Sequence, residues 1–340
     1  MTVLEVIQRS AEFLDKKGVE SPRLQVELLL AHVLKLPRMG LYLNFERTLT
    51  ENELAEVREL VRRRAQREPV QQITGSMSFC GLEIAVSGKV LTPRPETELL
   101  AEMGWKFLRE RKKSVVSNQG ASHPSPSIPM ASQARHESVS PSETSASRFV
   151  VPVEGRGKED STRLNPVTEQ SPALVRALDF GTGSGCLAIA LTVKCPGAKA
   201  TALDICEEAL AVAKENAARH KAEIEFLAGD GFAALLKGAR FDLIVGNPPY
   251  IPSAEIAELD PEVREHDPRR ALDGGADGLD FYRRLAREAG AFLNPGGKMM
   301  LEFGDGQEAA LPKIFEGEKW IVEEIKADYS GRARILVVRQ

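Results

Sequence analysis

From residue 174 onward, short runs of β-branched and aliphatic residues alternate with segments of helical apolar spacing, and this alternation restricts the fold more tightly than any other feature of the chain. The run 174–180 enters a glycine-rich turn, Gly181-Thr182-Gly183-Ser184-Gly185, which opens a helical segment at 186–193. The run 200–204 precedes a helix at 207–219, the run 224–227 leads to Gly229-Asp230-Gly231, and 241–245 ends in Asn247-Pro248-Pro249-Tyr250. A helix at 279–292, a strand at 297–303, a helix at 307–315 and strands at 321–326 and 333–338 complete the series. Strands interleaved with helices predict an α/β fold, a mostly parallel sheet wound on both faces. Ligands in such sheets bind beyond the carboxyl ends of the strands, where strand order reverses. If the strands at 174 and 241 flank that point, the glycine turn and the Asn247 loop face one crevice.

The upstream part is organised differently. Thr2 with Glu5 and Thr50 with Glu53 have capping-box spacing, and Ser21-Pro22 supplies an N-cap followed by proline at a first helical position. Apolar residues then recur at helical spacing up to Pro69, so 1–70 is expected to be a helical bundle. Arg62, Arg63 and Arg64 form either a recognition patch or a basic last turn that complements the helix dipole. Between 71 and 90 the period shortens around Gly75, Gly81 and Gly88, which favours a β-hairpin linker. Pro95 then suits the start of a helix running through Arg111, and Arg94, fixed between two prolines, is either part of that helix start or a pocket residue. The stretch 113–172, rich in Ser, Pro, Gly and charge, is expected to be a disordered insertion in a domain spanning 91–340.

Composition narrows the function classes. A chain of 340 residues with net charge −4 lacks the overall basic excess of a phosphate-binding protein, so a nucleic-acid partner is disfavoured. Cys80, Cys186, Cys195 and Cys206 show neither C-x-x-C spacing nor histidine partners, which predicts no metal site and a reducing compartment. The amino terminus has no basic segment followed by an apolar one, and no apolar run approaches the roughly 20 residues of a membrane span. A cytoplasmic, monomeric protein without a membrane partner is expected.

The chemistry sits in two loops. The prolines after Asn247 hold Asn247 and Pro248 extended, presenting a side-chain amide beside a free backbone carbonyl with the Tyr250 ring at the exit. A planar group carrying an NH2 finds two acceptors there and an aromatic face to lie on. In the first strand-to-helix turn, glycines admit a ligand close to the backbone, and Asp204, ending the next strand, has the place of a ribose-binding acid. A nicotinamide or flavin dinucleotide fits less well, because the third glycine of G-x-G-x-x-G would fall on Cys186. Asp230 offers an acceptor for an adenine amine and Gly231 a backbone N–H for a ring nitrogen.

Asp179 through Gly185, Asp204, Asp230 and Asn247-Pro248-Pro249-Tyr250 resemble the class I S-adenosylmethionine-dependent methyltransferases that modify planar nitrogens, including adenine-N6 DNA and guanine-N2 RNA enzymes. With Arg67-Glu68-Pro69-Val70-Gln71-Gln72-Ile73-Thr74-Gly75, Thr92-Pro93-Arg94-Pro95-Glu96-Thr97-Glu98, Asp277-Gly278-Leu279-Asp280-Phe281-Tyr282 and Leu301-Glu302, the chain is similar to the peptide chain release factor glutamine N5-methyltransferases. That resemblance implies a helical N-terminal domain that recognises the release factor, a hairpin linker and a seven-stranded Rossmann-like sheet. It implies methylation of the glutamine of the Gly-Gly-Gln loop in class I release factors. It assigns Asp179, Gly181, Thr182, Gly183, Ser184, Gly185, Asp204, Asp230, Gly231, Phe232 and Asn247 to S-adenosylmethionine. Asn247, Pro248, Pro249 and Tyr250 fall to the acceptor, with Asn247, Pro248 and Tyr250 catalytic. Two features depart from the pattern: Cys80 stands where an aromatic is usual, and the insertion is not a family feature.

Overall fold

The computed structural model of the chain describes residues 1–120 and 175–340. Helices α1 (Val3–Asp15), α2 (Pro22–Leu34), α3 (Arg38–Tyr42), α4 (Glu51–Ala65) and α5 (Val70–Thr74) enclose a core of their own, built on Val3, Ile7, Leu14, Leu29, Leu54 and Val61. Both capping boxes form: the Thr2 and Thr50 hydroxyls accept the Glu5 and Glu53 N–H groups at 3.2 and 3.3 Å, and each carboxylate takes the threonine N–H in return. Ser21 does not cap α2. Its φ of +48° is left-handed, whereas a capping residue is extended, and α2 starts on Pro22 without a side-chain cap.

Each of the three arginines ending α4 meets a carboxylate. Arg62 pairs with Glu59 at 2.7 Å and Arg63 with Glu68, while the buried Arg64 reaches Glu262 at 2.8 Å. Arg67 joins it on Glu262 at 2.7 Å, so the bundle is stitched by charge to the segment that follows the Asn247 loop.

Strand pairing in the linker is narrower than the expected 71–90, because α5 occupies its approach. β1 (Ser76–Phe79) and β2 (Leu82–Ala85) pair antiparallel around Cys80-Gly81, whose φ values are +53° and +75°. Two successive left-handed residues make the turn that matches hairpin twist, and asparagine is favoured at the first of them. Cys80 instead packs its half-buried thiol on the core, where burial pushes its pKa up to about 12. Cys80→Asn is expected to raise unfolding free energy by up to about 1 kcal/mol, a fraction of the left-handed penalty. Chemical denaturation checks this; a lowered midpoint would mean that thiol packing outweighs backbone strain.

Helix α6 (Pro95–Gly120) runs past Arg111 into the stretch expected to be disordered; the remainder of that stretch, 121–172, lies outside the described residues. The sheet follows, with β3 (Arg176–Phe180), α7 (Cys186–Lys194), β4 (Lys199–Asp204), α8 (Glu207–Arg219), β5 (Ile224–Ala228), β6 (Phe241–Gly246), α9 (Pro261–Arg264), α10 (Asp280–Glu288), β7 (Leu293–Glu302), α11 (Leu311–Gly317), β8 (Ile321–Ala327) and β9 (Ala333–Arg339). Its seven strands are ordered β5-β4-β3-β6-β7-β9-β8, parallel except for β9, which runs antiparallel to both its neighbours. The central β6 is buried at every position. Successive side chains serve opposite layers: Leu243 and Val245 pack with Leu100, Leu187 and Ile189, and Ile244 with Tyr282, Leu285 and Phe315.

Strand β7 begins four residues earlier than Gly297, the expected start. Asn294-Pro295-Gly296, which reads as a turn, is a bulge inside the strand: against β6 the register passes from Phe241 opposite Leu293 to Leu243 opposite Lys298. Asp242 anchors this end of the sheet, accepting from the Arg176 N–H at 2.9 Å and from Asn294 Nδ2 at 3.1 Å.

Candidate active site

Strands β3 and β6 lie side by side with Phe180 opposite Gly246, and the chain proceeds to β4 on one side and β7 on the other. Strand order reverses here, so the loops leaving β3 and β6 diverge and open a crevice. A cavity of about 240 Å³ fills it, with Gly181, Gly183, Asp204, Asp230, Gly231, Asn247, Pro248 and Pro249 among its lining residues.

Three left-handed glycines shape the floor, with φ of +71°, +53° and +82° at Gly181, Gly183 and Gly185. A Cβ on Gly181 or Gly183 would meet nothing within 4 Å, since both face open space, whereas one on Gly185 would stand 3.0 Å from the Ala213 Cβ. Asp204 ties the turn to the next strand. Its Oδ2 accepts the Gly183 N–H and its Oδ1 the Cys206 N–H, both at 2.9 Å, which leaves lone pairs on each oxygen for a ligand hydroxyl.

Other expected cofactor residues act from below. Asp179, Thr182 and Ser184 are buried, and with Gly185 they do not reach the cavity wall. The Thr182 hydroxyl and the Ala188 N–H donate to Asp179 Oδ2 at 2.6 and 3.1 Å. Burial still pushes the Asp179 carboxyl up to about 7, against the pull of those two donors. Phe232 also belongs to the core, tilted on Phe180 and stacked on Phe292 at 5.0 Å. Asp230 reaches the wall but is already engaged: Arg284 donates to its Oδ1 at 2.5 Å and to its carbonyl at 3.0 Å.

The Asn247 loop is held by a buried network. Asn247 Nδ2 donates to Glu302 Oε1 at 2.9 Å and lies 3.4 Å from Thr97 Oγ1, whose hydroxyl donates to Glu302 Oε2 at 2.6 Å. Asn247 Oδ1 is buried without a partner. Such an oxygen in a folded protein calls for a partner, and a ligand hydrogen would supply one. Tyr250 is anchored through its carbonyl, which accepts Gln307 Nε2 at 2.9 Å, and burial pushes its phenol up to about 12. A wider cavity of about 720 Å³ opens beyond, lined by Tyr250, Arg94 and Arg334 and sharing Leu91, Asn247 and Ala271 with the first. Asn247 thus stands where the two cavities meet.

Arg94 reaches that second cavity and also closes an ion pair of 2.7 Å with the buried Asp267, which gathers Gln72 and Thr92 as well. Behind the glycine turn, the fully buried Asn216 donates to the Ala85 and Ser184 carbonyls at 3.0 and 2.9 Å and accepts the Ala85 N–H at 2.8 Å. It laces β2 to the turn. Thr97, Asn216, Arg284, Glu302 and Gln307 carry no role that sequence assigns; Thr97 and Glu302 at least fall inside recognisable motifs. Among the described residues no His, Cys, Asp or Glu cluster could hold a metal ion, and no helix is long and apolar enough to cross a membrane.

Comparison with known proteins adds an independent line. The PrmC N-terminal domain family matches residues 5–75, and the methyltransferase small domain family matches 164–259. The release factor glutamine methyltransferase of Geobacter sulfurreducens is 37% identical over 314 residues, covering 92% of this chain and 88% of its own. The proteins of the same name from Rhodospirillum rubrum and Chlorobaculum tepidum are 36% and 35% identical, covering 98% and 97% of this chain and 84% and 94% of theirs.

Proposed function

Because the chain belongs to the release factor glutamine methyltransferase family and is a methyltransferase, we propose that it methylates the N5 amide nitrogen of the glutamine in the Gly-Gly-Gln motif of class I release factors, using S-adenosylmethionine. The observation that carries this reading is the buried, unpartnered Asn247 Oδ1 at the junction of two cavities. One cavity suits the cofactor and the other a protein side chain with its flanking residues.

The residues present fit the cofactor. Gly181 and Gly183 leave room against the backbone, Asp204 keeps free lone pairs for ribose hydroxyls, and Asp230 Oδ2 stays open to an adenine amine while Arg284 holds Oδ1. When bound, S-adenosylmethionine supplies an electrophilic methyl carbon. The protein's task is then to hold the acceptor nitrogen in line with it, since orientation supplies much of the rate in such displacements. An amide nitrogen is a weak nucleophile. Asn247 Oδ1 and the Pro248 carbonyl accept its two hydrogens, turn the lone pair toward the methyl group and stabilise positive charge developing on nitrogen. Tyr250 lies against the amide plane, and the proton is shed after transfer without a dedicated base. Residues 1–70 contribute to release factor recognition, and the enzyme acts as a monomer in the cytoplasm.

Mass spectrometry of a class I release factor, after incubation with the protein and labelled S-adenosylmethionine, tests the proposal. A gain of one methyl on the Gly-Gly-Gln glutamine is expected; label in duplex or single-stranded DNA and none in the release factor would overturn the substrate. Asp204→Ala is expected to weaken cofactor binding by about 1.5–3 kcal/mol, the range for hydrogen bonds to a charged group. Unchanged affinity by calorimetry would remove the ribose assignment.

A further inference from the structure

We infer that Glu302 is a positioning residue: its ionised carboxylate dictates which end of the Asn247 amide faces the acceptor. The inference rests on the proposed role of Asn247. A carboxylate only accepts hydrogen bonds, and both Glu302 oxygens are used in that way, Oε1 by Asn247 Nδ2 at 2.9 Å and Oε2 by the Thr97 hydroxyl at 2.6 Å. The amide NH2 therefore turns to Glu302, and Oδ1 is left for the acceptor. A neutral side chain at 302 removes the constraint. A protonated carboxyl donates from one oxygen, so it pairs equally well with Asn247 flipped by 180°; the flipped amide offers the incoming NH2 group two donors instead of an acceptor.

Glu302 is fixed in place by more than these two bonds. Its carbonyl accepts the Tyr282 hydroxyl of α10 at 2.7 Å, and its residue surface is 1% exposed. The charged groups around it pull in both directions: Arg94 and Arg334 favour its ionised form, and Glu96 opposes it. The phenols of Tyr250 and Tyr282 are both pushed up by burial, with Glu302 adding to each shift, and stay neutral. Desolvation prevails and lifts the Glu302 carboxyl to about 7. The switch from neutral to ionised then falls within the working range of an enzyme, and the correctly oriented amide is the form present above it.

The sign for stability is opposite to that for activity. A carboxyl whose folded-state pKa is raised lends stability at low pH that is lost as pH rises through the folded value, so the ionised Glu302 is held at a cost. Glu302→Gln keeps shape and hydrogen-bonding capacity, removes that cost, and frees Asn247 to flip.

The full chain with S-adenosylmethionine and a class I release factor provides the test. Glu302→Gln is expected to lower kcat about 10- to 100-fold at pH 8, by analogy with the outer partners that orient metal ligands, with cofactor affinity retained. Its melting temperature should equal or exceed that of the wild type at that pH. The wild-type rate should climb through about pH 7, as the Glu302 shift implies, and the variant's profile should be flat in that region. A variant with wild-type kcat and an unchanged pH profile would overturn the inference. A second readout needs no acceptor: the side-chain NH2 signals of Asn247 in ¹⁵N spectra of the cofactor-bound protein should titrate near neutral pH in the wild type and not in Glu302→Gln. Signals that do not titrate would overturn it too. Absence of release factor methylation by the wild type, with that titration intact, would sink the substrate reading alone.

Discussion

Asn247→Ala is expected to leave the fold and most of the cofactor affinity intact while lowering turnover on a release factor by about 10²-fold or more, the effect of deleting one preorganised polar group from an active site. The loss should fall on kcat, because the deleted oxygen acts most strongly once charge develops on the nitrogen. Single-turnover methylation measures it; a variant within a few-fold of the wild type would mean that the Pro248 carbonyl alone orients the acceptor. Considered from the sequence, Asn247→Asp keeps an acceptor of the same shape and adds a favourable charge. The buried network reverses that expectation. Aspartate would set a second carboxylate where Asn247 Nδ2 now lies 2.9 Å from Glu302 Oε1, and one of the two would have to hold a proton. Asn247→Asp should therefore keep part of its activity where the pair holds the shared proton and approach the Asn247→Ala level as rising pH removes it.

Gly278→Ala is expected to be the most destabilising single methyl addition near the site. Gly278 has φ of +75°, and its added Cβ would stand 2.2 Å from the Tyr250 carbonyl oxygen and 2.8 Å from Gln307 Nε2. Neither neighbour is free to retreat, because Gln307 Nε2 bridges the Tyr250 and Gly278 carbonyls at 2.9 and 3.1 Å. Left-handed strain of about 1–2 kcal/mol and overpacking of about 1–3 kcal/mol together give about 2–5 kcal/mol. Equilibrium denaturation reads the loss, and turnover should fall with it, since the displaced backbone is that of Tyr250. Stability within about 1 kcal/mol of the wild type would show that the 278 backbone relaxes at little cost.

Legibility in the sequence followed the distance over which each signal acts. Capping boxes, the glycine turn and the proline-locked loop are written in adjacent residues, and each formed where expected. The α/β alternation is equally local, and together with the reversal rule it located the crevice between β3 and β6. Ser21 and Asn294-Pro295-Gly296 misled because the same residues serve several backbone shapes: a left-handed entry to α2 in one case, a bulge within β7 in the other. What the sequence concealed is the support of the site. Thr97 is 205 residues from Glu302, Glu302 is 55 from Asn247, and Asn216 is 131 from Ala85. A buried polar pair has no periodicity, so only the folded chain reveals it. Asp230 illustrates the same limit from the other side, because its acidity is legible and its Arg284 partner is not.

The described residues that flank the stretch 113–172 lie at the opposite pole from the chemistry. Arg111 and Lys112, in the second half of α6, hold the Pro295 and Pro196 carbonyls, and the Val175 carbonyl accepts the Lys199 N–H just before β3 begins. All of these contacts are at the amino-terminal ends of strands, whereas the glycine turn, Asp204 and Asn247 leave carboxyl-terminal ends. A strand of five residues separates the two poles by about 17 Å. Chain joining these two points need not move any strand end that builds the crevice. The same seam is where a reporter domain or a circularly permuted terminus would disturb methyl transfer least.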